Sequence, residues 1–215
     1  LPPKEFIYSI HPEYLVSFGG KIPQTGLHFG DTLLYSLLAP LFANPQGWLP
    51  PMNEIYHYPF LCVGWFGLFV TTLNLLPFGQ LDGGHIVYSM FGKSQHRIGK
   101  IAWWLLIIIG IGSLLGSIST LLNDFDMPNK FYIWLQDNLL PLLKQLRSFV
   151  PWFFDSWGGW LFWAVFTRLL IKIPHPYIPE TEPLGFGRKI LGWIAIIIFF
   201  LSFSLICESF LRHKP

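Results

Sequence analysis

Polar side chains interrupt a long apolar run in the stretch LNLLPFGQLDGGH, residues 73–85. The stretch contains the amide of Asn74 and the carboxylate of Asp82, followed by two glycines and the imidazole of His85. An ionised aspartate at membrane depth costs about 2.5–3.5 kcal/mol or more unless it is paired, solvated or bound to a metal. Asp82 therefore has three candidate roles: a solvated helix cap, an ion or proton relay, or a metal ligand.

The backbone around Asp82 favours a role beyond capping. Pro77 stops the preceding helix, and glycines on both sides of Asp82 weaken regular structure. Broken helices at membrane depth are tolerated where they line a water-filled cavity. A simple cap would not require this loss of helix stability, so the pattern favours an ion or metal role. His85 follows three residues after Asp82, and we expect it to face elsewhere or to bond locally.

The composition of the chain predicts a membrane protein. Hydrophobic residues make up 52% of its 215 residues and charged residues only 12%, about half of the roughly 25% that is usual in soluble domains. The net charge of +2 and the scattered basic residues argue against nucleic acid as a partner. Cys62 and Cys207 lie inside apolar runs and predict neither a disulfide framework nor a zinc site.

Four apolar stretches are long enough to be membrane-spanning helices, which need about 20 residues. They predict an all-α multi-pass membrane protein, whose basic connections at 92–100 and around Arg168 lie on the cytoplasmic side. Within the second stretch, Gly112 and Gly116 are spaced for close helix packing. The four predicted spans are residues 58–77, 101–122, 157–173 and 190–207.

The N-terminal part of the chain differs from the rest because it is rich in proline and glycine. We expect short extended pieces over residues 14–29 and a short helix over 31–43 that Asp31 caps. The four predicted segments are residues 1–56, an irregular, strand-containing and membrane-entering segment on the substrate side; 57–122, core helices that carry Asn74 and Asp82; 123–156, an extracytoplasmic or interfacial loop; and 157–215, the C-terminal transmembrane helices.

The spacing Asn-x-x-Pro-x-x-x-x-Asp-Gly-Gly, formed here by residues 74–84, resembles the second signature of the site-2 protease family. The surrounding sequence, GWFGLFVTTLNLLPFGQLDGGHIVYSMFG, looks like the family's third core helix and its aspartate-bearing turn. A later stretch, PHPYIPETEPLGFGRKILGW, is similar to a C-terminal segment of bacterial and plastid-type members. Members of this family are zinc metalloproteases that cut within membranes.

This resemblance implies Zn2+ as cofactor and membrane-anchored proteins as substrates. In the family, two histidines of a His-Glu-x-x-His helix and this aspartate hold the zinc, and the glutamate is the general base. Carried over, Asp82 is the third zinc ligand, and Asn74 helps position the substrate backbone or supports the metal shell. An exposed strand within residues 15–23, LVSFGGKIP, would hold the unwound substrate.

The sequence departs from the family because it contains no His-Glu-x-x-His motif. Since the first residue is Leu1, we expect the histidine-bearing helix to lie upstream, which makes this chain alone an incomplete and inactive enzyme. The alternatives are an ion- or proton-coupled membrane transporter and a catalytically inactive, protease-derived membrane scaffold. The expected location is a bacterial inner membrane or, second, a plastid membrane, with the lipid bilayer as a partner.

Overall fold

The computed structural model describes residues 1–23, 29–30, 32–43, 47–125, 129–176 and 183–203. All regular secondary structure in these ranges is helical, which confirms the predicted all-α class. Contacts divide the chain into two units, Leu1–Leu76 with Leu184–Pro215, and Pro77–Pro183. The four segments predicted from sequence stay predictions. The α-helices of the described residues are α1 (Lys4–Ile10), α2 (Glu13–Val16), α3 (Leu33–Leu38), α4 (Pro59–Asn74), α5 (Asp82–Phe91), α6 (Gln95–Asp124), α7 (Lys130–Phe149), α8 (Pro151–Phe154), α9 (Gly159–Phe166) and α10 (Phe186–Ser202).

One helical run in the described residues is long and apolar enough to cross a membrane. It covers Asp82–Asp124, where α5 and α6 follow each other through a 3-10 turn at Gly92–Ser94. The apolar helices Pro59–Asn74 and Gly159–Ile171 are shorter. At 1.5 Å per residue, the 16 residues of α4 reach about 24 Å, which is less than the roughly 30 Å of a bilayer core. The predicted set of four spans is therefore not confirmed.

In the first unit, α4 packs on the irregular segment that precedes it and on α10. Near the start of α4, Trp65 lies in a buried apolar cluster with Phe29 and Ile55. Near its end, the buried Thr72 hydroxyl donates a hydrogen bond to the Ser202 carbonyl of α10 at 3.0 Å. Burial of apolar surface and this polar contact together fix α4 at both ends.

The extended pieces predicted within residues 14–29 are wrong where the structure describes them. Residues 14–16 belong to α2, and the turn after it closes through Gly20, which has a φ of +78° and donates its N–H to the Tyr14 carbonyl at 2.9 Å. The Tyr8 hydroxyl donates to the Gly20 carbonyl at 2.6 Å. Because these local bonds satisfy the backbone, residues 15–23 do not form the predicted substrate-binding strand. Residues 24–28 lie outside the described residues.

The short helix predicted over 31–43 is present, but its cap differs from the prediction. Helix α3 begins after Thr32, whose hydroxyl accepts a hydrogen bond from the Tyr35 N–H at 3.0 Å. A threonine hydroxyl satisfies the free N–H groups of the first turn as an aspartate would. Asp31, the predicted cap, lies outside the described residues.

In the second unit, α6 packs closely on the segment that contains α8 and α9. A Cβ atom added at Gly112 would collide with the Phe153 carbonyl oxygen, and one added at Gly116 would collide with that of Phe154. Only glycine allows the two backbones to approach so closely at these positions. The predicted close packing at these two glycines is therefore confirmed.

Candidate metal centres

Asp82 is the first residue of α5, and its side chain is exposed. The N-cap of α5 is Leu81, and no side chain caps the helix. A carboxylate in the first turn interacts favourably with the positive end of the helix dipole. No hydrogen bond to the Asp82 carboxylate occurs among the described residues, so the group is not a helix cap and is accessible to a cation.

The turn before Asp82 is held by glycines that have no room for a side chain. Gly79 has a φ of +44° and donates its N–H to the Ile173 carbonyl at 2.9 Å, and a Cβ atom there would collide with the Lys172 carbonyl oxygen. A Cβ atom at Gly84 would lie 2.5 Å from the Gly79 carbonyl oxygen. The sequence suggested that these glycines loosen the backbone, whereas in the structure they permit dense packing that fixes the position of Asp82.

Gln95 connects this turn to the segment that follows α9. Its side chain is 1% exposed, and its amide N–H groups donate to the carbonyls of Pro77 at 2.9 Å and Ile173 at 3.0 Å. Its amide oxygen accepts the backbone N–H of His175 at 3.0 Å. One buried side chain therefore satisfies three backbone groups that no helix pairs.

His85 contacts a second histidine that is distant in sequence. Its Nδ1 atom lies 2.7 Å from Nε2 of His175, whose Nδ1 atom lies 2.7 Å from the Pro176 carbonyl oxygen. A carbonyl only accepts hydrogen bonds, so Nδ1 of His175 carries a proton and its Nε2, in the neutral ring, accepts from His85. The hydrogen bond of His85 is not local, because its partner lies 90 residues along the chain.

Asn74, the second predicted site residue, belongs to the first unit. It is the last residue of α4, and its side chain is exposed. No hydrogen bond to its amide occurs among the described residues, so both its donor and its acceptor are accessible. Its role in positioning a substrate backbone stays a prediction.

Three potential metal ligands meet in the first unit, at residues that the sequence did not single out as a site. His11 follows α1, and Glu54 and His57 lie at the two ends of the 3-10 turn before α4. Their ligand atoms all lie within 4.8 Å of one another. The Nε2 atoms of the two imidazoles are 3.0 Å apart, and Nε2 of His57 lies 3.4 Å from Oε2 of Glu54. No other such group of three occurs in the residues that the structure describes.

Glu54 is the buried member of this cluster, with 1% of its surface exposed. Its Oε1 atom accepts hydrogen bonds from the Tyr14 hydroxyl at 3.0 Å and the Asn53 side-chain amide at 3.2 Å. Its Oε2 atom is buried and accepts no hydrogen bond among the described residues. Burial raises the pKa of the Glu54 carboxyl, because the charged form loses solvation.

The two histidines are more accessible than Glu54 and are oriented by different neighbours. The Nδ1 atom of His11 lies 2.8 Å from Oε1 of Glu13, a hydrogen bond that lowers the pKa of the Glu13 carboxyl. Burial, and then the adjacent His11, lowers the pKa of His57. Since burial favours the uncharged forms of both Glu54 and His57, their 3.4 Å contact is not a strong ion pair.

The sequence analysis assigned no role to His11, Glu54 or His57. One local signal was available, because a carboxylate and an imidazole three residues apart can face the same side of a helical turn. The third ligand could not be found in this way, since His11 and His57 are separated by 46 residues. Only the folded chain brings them together.

Comparison with known proteins gives a match to one family model and matches to several curated relatives. Residues 48–115 match the family model of peptidase family M50. The chain is 43% identical over 60 residues to a protein of Arabidopsis thaliana named probable zinc metallopeptidase EGY3, chloroplastic. The aligned residues make up 28% of this chain and 10% of the relative. The chain is also 37% identical over 92 residues to a protein of Oryza sativa subsp. indica named probable zinc metalloprotease EGY2, chloroplastic. Here the aligned residues make up 42% of this chain and 16% of the relative.

These matches are limited in extent. The chain spans only about a tenth to a sixth of the length of those two relatives, and no solved structure matches it. The segment matched by the family model nevertheless contains the whole Asn-x-x-Pro-x-x-x-x-Asp-Gly-Gly spacing of residues 74–84. Residues 48–115 of the chain are therefore similar to peptidase family M50, the site-2 protease family.

Proposed function

We propose that the chain is the aspartate-bearing part of an intramembrane zinc metalloprotease that cleaves membrane-anchored proteins. The match of residues 48–115 to peptidase family M50 carries this proposal, because it includes Asp82 within the family-like spacing. The names of the curated relatives, which are probable zinc metalloproteases, support the same activity.

Asp82 is the proposed third zinc ligand. Its carboxylate is exposed and without a hydrogen-bond partner among the described residues, and a hard, anionic oxygen is a suitable donor for Zn2+. The proposal assigns the other two ligands to a His-Glu-x-x-His helix outside this chain. A zinc ion held by three protein ligands activates a bound water and polarises a peptide carbonyl.

The residues around Asp82 would keep its carboxylate in one place. The Gly79 turn and the Gln95 hydrogen bonds anchor the backbone before α5, and such support is needed because a metal ligand must be held within a fraction of an ångström.

Asn74 would use its accessible amide to bind the extended backbone of the substrate, donating to a carbonyl and accepting from an N–H.

The proposed setting is a membrane. The helical run Asp82–Asp124 is long and apolar enough to cross a bilayer. The relatives are named chloroplastic, and we therefore favour a plastid membrane over the bacterial inner membrane. A protease in this setting would act on proteins anchored in the same bilayer.

The test is cleavage of a membrane-anchored reporter by the complete protein with Asp82→Ala. We expect loss of cleavage with unchanged membrane insertion, and a matched variant, Asp137→Ala, should cleave as the unmodified protein does because Asp137 is exposed on α7. Asp82→Asn, which keeps the shape and removes the charge, should also be inactive and hold less zinc. Cleavage by Asp82→Ala at the unmodified rate would refute the ligand role.

A further inference from the structure

We propose that His11, Glu54 and His57 form a metal site of their own, which binds a divalent transition cation such as Zn2+. This site does not include Asp82 and does not depend on the proposed protease activity. Two imidazole nitrogens and one carboxylate oxygen are a donor set that suits zinc, and they are unsuited to Ca2+ or Mg2+, which prefer oxygen ligands alone.

The spacing of the donor atoms fits a single ion. The two Nε2 atoms are 3.0 Å apart, and Nε2 of His57 lies 3.4 Å from Oε2 of Glu54. Ligands at about 2.0–2.1 Å from a tetrahedral zinc lie roughly 3.3 Å from each other. These two separations match the edges of a tetrahedral site, and the ligand atoms of all three residues lie within 4.8 Å of one another, so one ion can contact them after small side-chain movements.

The carboxylate of Glu54 gives independent support for a cation site. Both hydrogen bonds to this group, from Tyr14 and Asn53, go to Oε1. Oε2 is buried, accepts no hydrogen bond among the described residues, and lies beside the His57 ring. An unsatisfied buried carboxylate oxygen costs free energy, and a metal ion between Oε2 and the two imidazoles removes that cost.

The tautomer of His11 is also compatible with metal binding. An ionised Glu13 carboxylate accepts hydrogen bonds and cannot donate one. Nδ1 of His11 is therefore the protonated atom, and its Nε2 presents a lone pair to the cluster. A carboxylate behind a ligating imidazole orients the ring and raises its basicity, an arrangement common in zinc sites. Glu13 would have this supporting role here.

The site would link the N-terminal helices to the start of α4. His11 lies between α1 and α2, whereas Glu54 and His57 flank the turn that leads into α4. Beneath the cluster, Ile7 and Tyr58 are packed in one apolar core. The side chains of His11 and His57 are 24% and 17% exposed, so the cluster is accessible from solvent.

The test is metal titration of the detergent-solubilised chain carrying Asp82→Ala, so that the proposed protease ligand is absent. After treatment with a chelator, we expect the chain to bind one Co2+, with the absorption bands of a tetrahedral ion, and Zn2+ to displace it. His57→Ala and the isosteric Glu54→Gln should each weaken binding by about 100-fold or more, since removal of even an outer-shell partner costs about 10–100-fold.

The matched control is His175→Ala, which removes one member of the other histidine pair. It should leave the affinity unchanged, and circular dichroism should show that all variants are folded. Absence of binding by the Asp82→Ala chain, unchanged affinity in folded Glu54→Gln, or an equal loss in His175→Ala would each overturn the site. None of these results bears on the protease, which is tested by reporter cleavage.

Discussion

The two histidine pairs of this chain have similar spacing but different third groups. In the first unit, His11 and His57 are 3.0 Å apart beside the buried carboxylate of Glu54. In the second unit, His85 and His175 are 2.7 Å apart, and the group behind His175 is the Pro176 carbonyl. The first arrangement brings three potential ligand atoms within 4.8 Å of one another, whereas the second is a chain of hydrogen bonds from ring to ring to backbone.

This difference shows that a pair of histidines does not by itself indicate a metal site. A histidine pair becomes a candidate metal site when a further anionic donor lies close to the two nitrogens. The Pro176 carbonyl lies behind its histidine pair and fixes a tautomer, and Gln95 holds the backbone of His175. The second pair therefore has a structural role, and the first has the composition of a ligand set.

The largest effect should be a loss of stability when Gln95, which supports the backbone at the second histidine pair, is truncated. Gln95→Ala removes three hydrogen bonds to backbone groups, and at about 1 kcal/mol for each bond the free energy of unfolding should fall by about 3 kcal/mol. For a chain of this size that corresponds to a Tm about 6–12 °C lower, measured by circular dichroism in detergent. Metal affinity of the first unit should not change.

A matched control for this variant is Gln145→Ala, since Gln145 is exposed on α7. Its Tm should stay within about 1–2 °C of the unmodified value, as is usual for surface positions. If Gln95→Ala is equally mild, then Gln95 does not support the second histidine pair, and the contrast between the two pairs weakens.

A smaller effect should follow removal of the carboxylate behind the first pair. Glu13→Gln retains a hydrogen-bond acceptor for His11 but removes the negative charge, so Zn2+ affinity should fall about tenfold, as expected for an outer-shell partner. The measurement is competition with a zinc-binding dye. The neighbouring Glu5→Gln, on α1, should bind as the unmodified chain does. An affinity that Glu13→Gln leaves unchanged would show that the Glu13 carboxylate does not tune His11.

The sequence predicted the features that depend on local patterns. Apolar runs indicated the helical class, and the spacing around Asp82 indicated the similarity to peptidase family M50. Contacts between distant residues were not predictable in this way: His11 meets His57 across 46 residues, and Gln95 meets His175 across 80. Neither pair has a periodic pattern, and each is joined only when helices pack. The same reason explains why Gly79 was interpreted as loosening the backbone, since its close neighbours, Ile171 and Lys172, come from residues after α9.

The smallest expected effect concerns the charge of Glu54 in the metal-free chain. Because burial raises the pKa of this carboxyl, its protonated form contributes stability that is present below the pKa of the unfolded chain and is lost as the pH rises through the folded pKa. At neutral pH the ionised group destabilises the fold, so Glu54→Gln should raise the Tm by about 2–4 °C, the shift that roughly 1 kcal/mol produces.

The same variant should respond to zinc and to pH in a characteristic way. Saturating Zn2+ should raise the Tm of the unmodified chain, since a ligand that binds only the folded state stabilises it, and should raise the Tm of Glu54→Gln much less because that variant binds zinc more weakly. The metal-free difference between the two chains should disappear as the pH falls, because Glu54 then becomes neutral in the unmodified chain. A Tm of Glu54→Gln that lies below the unmodified value at neutral pH without metal would mean that ionised Glu54 is already satisfied by its neighbours, and the buried oxygen would no longer require a cation.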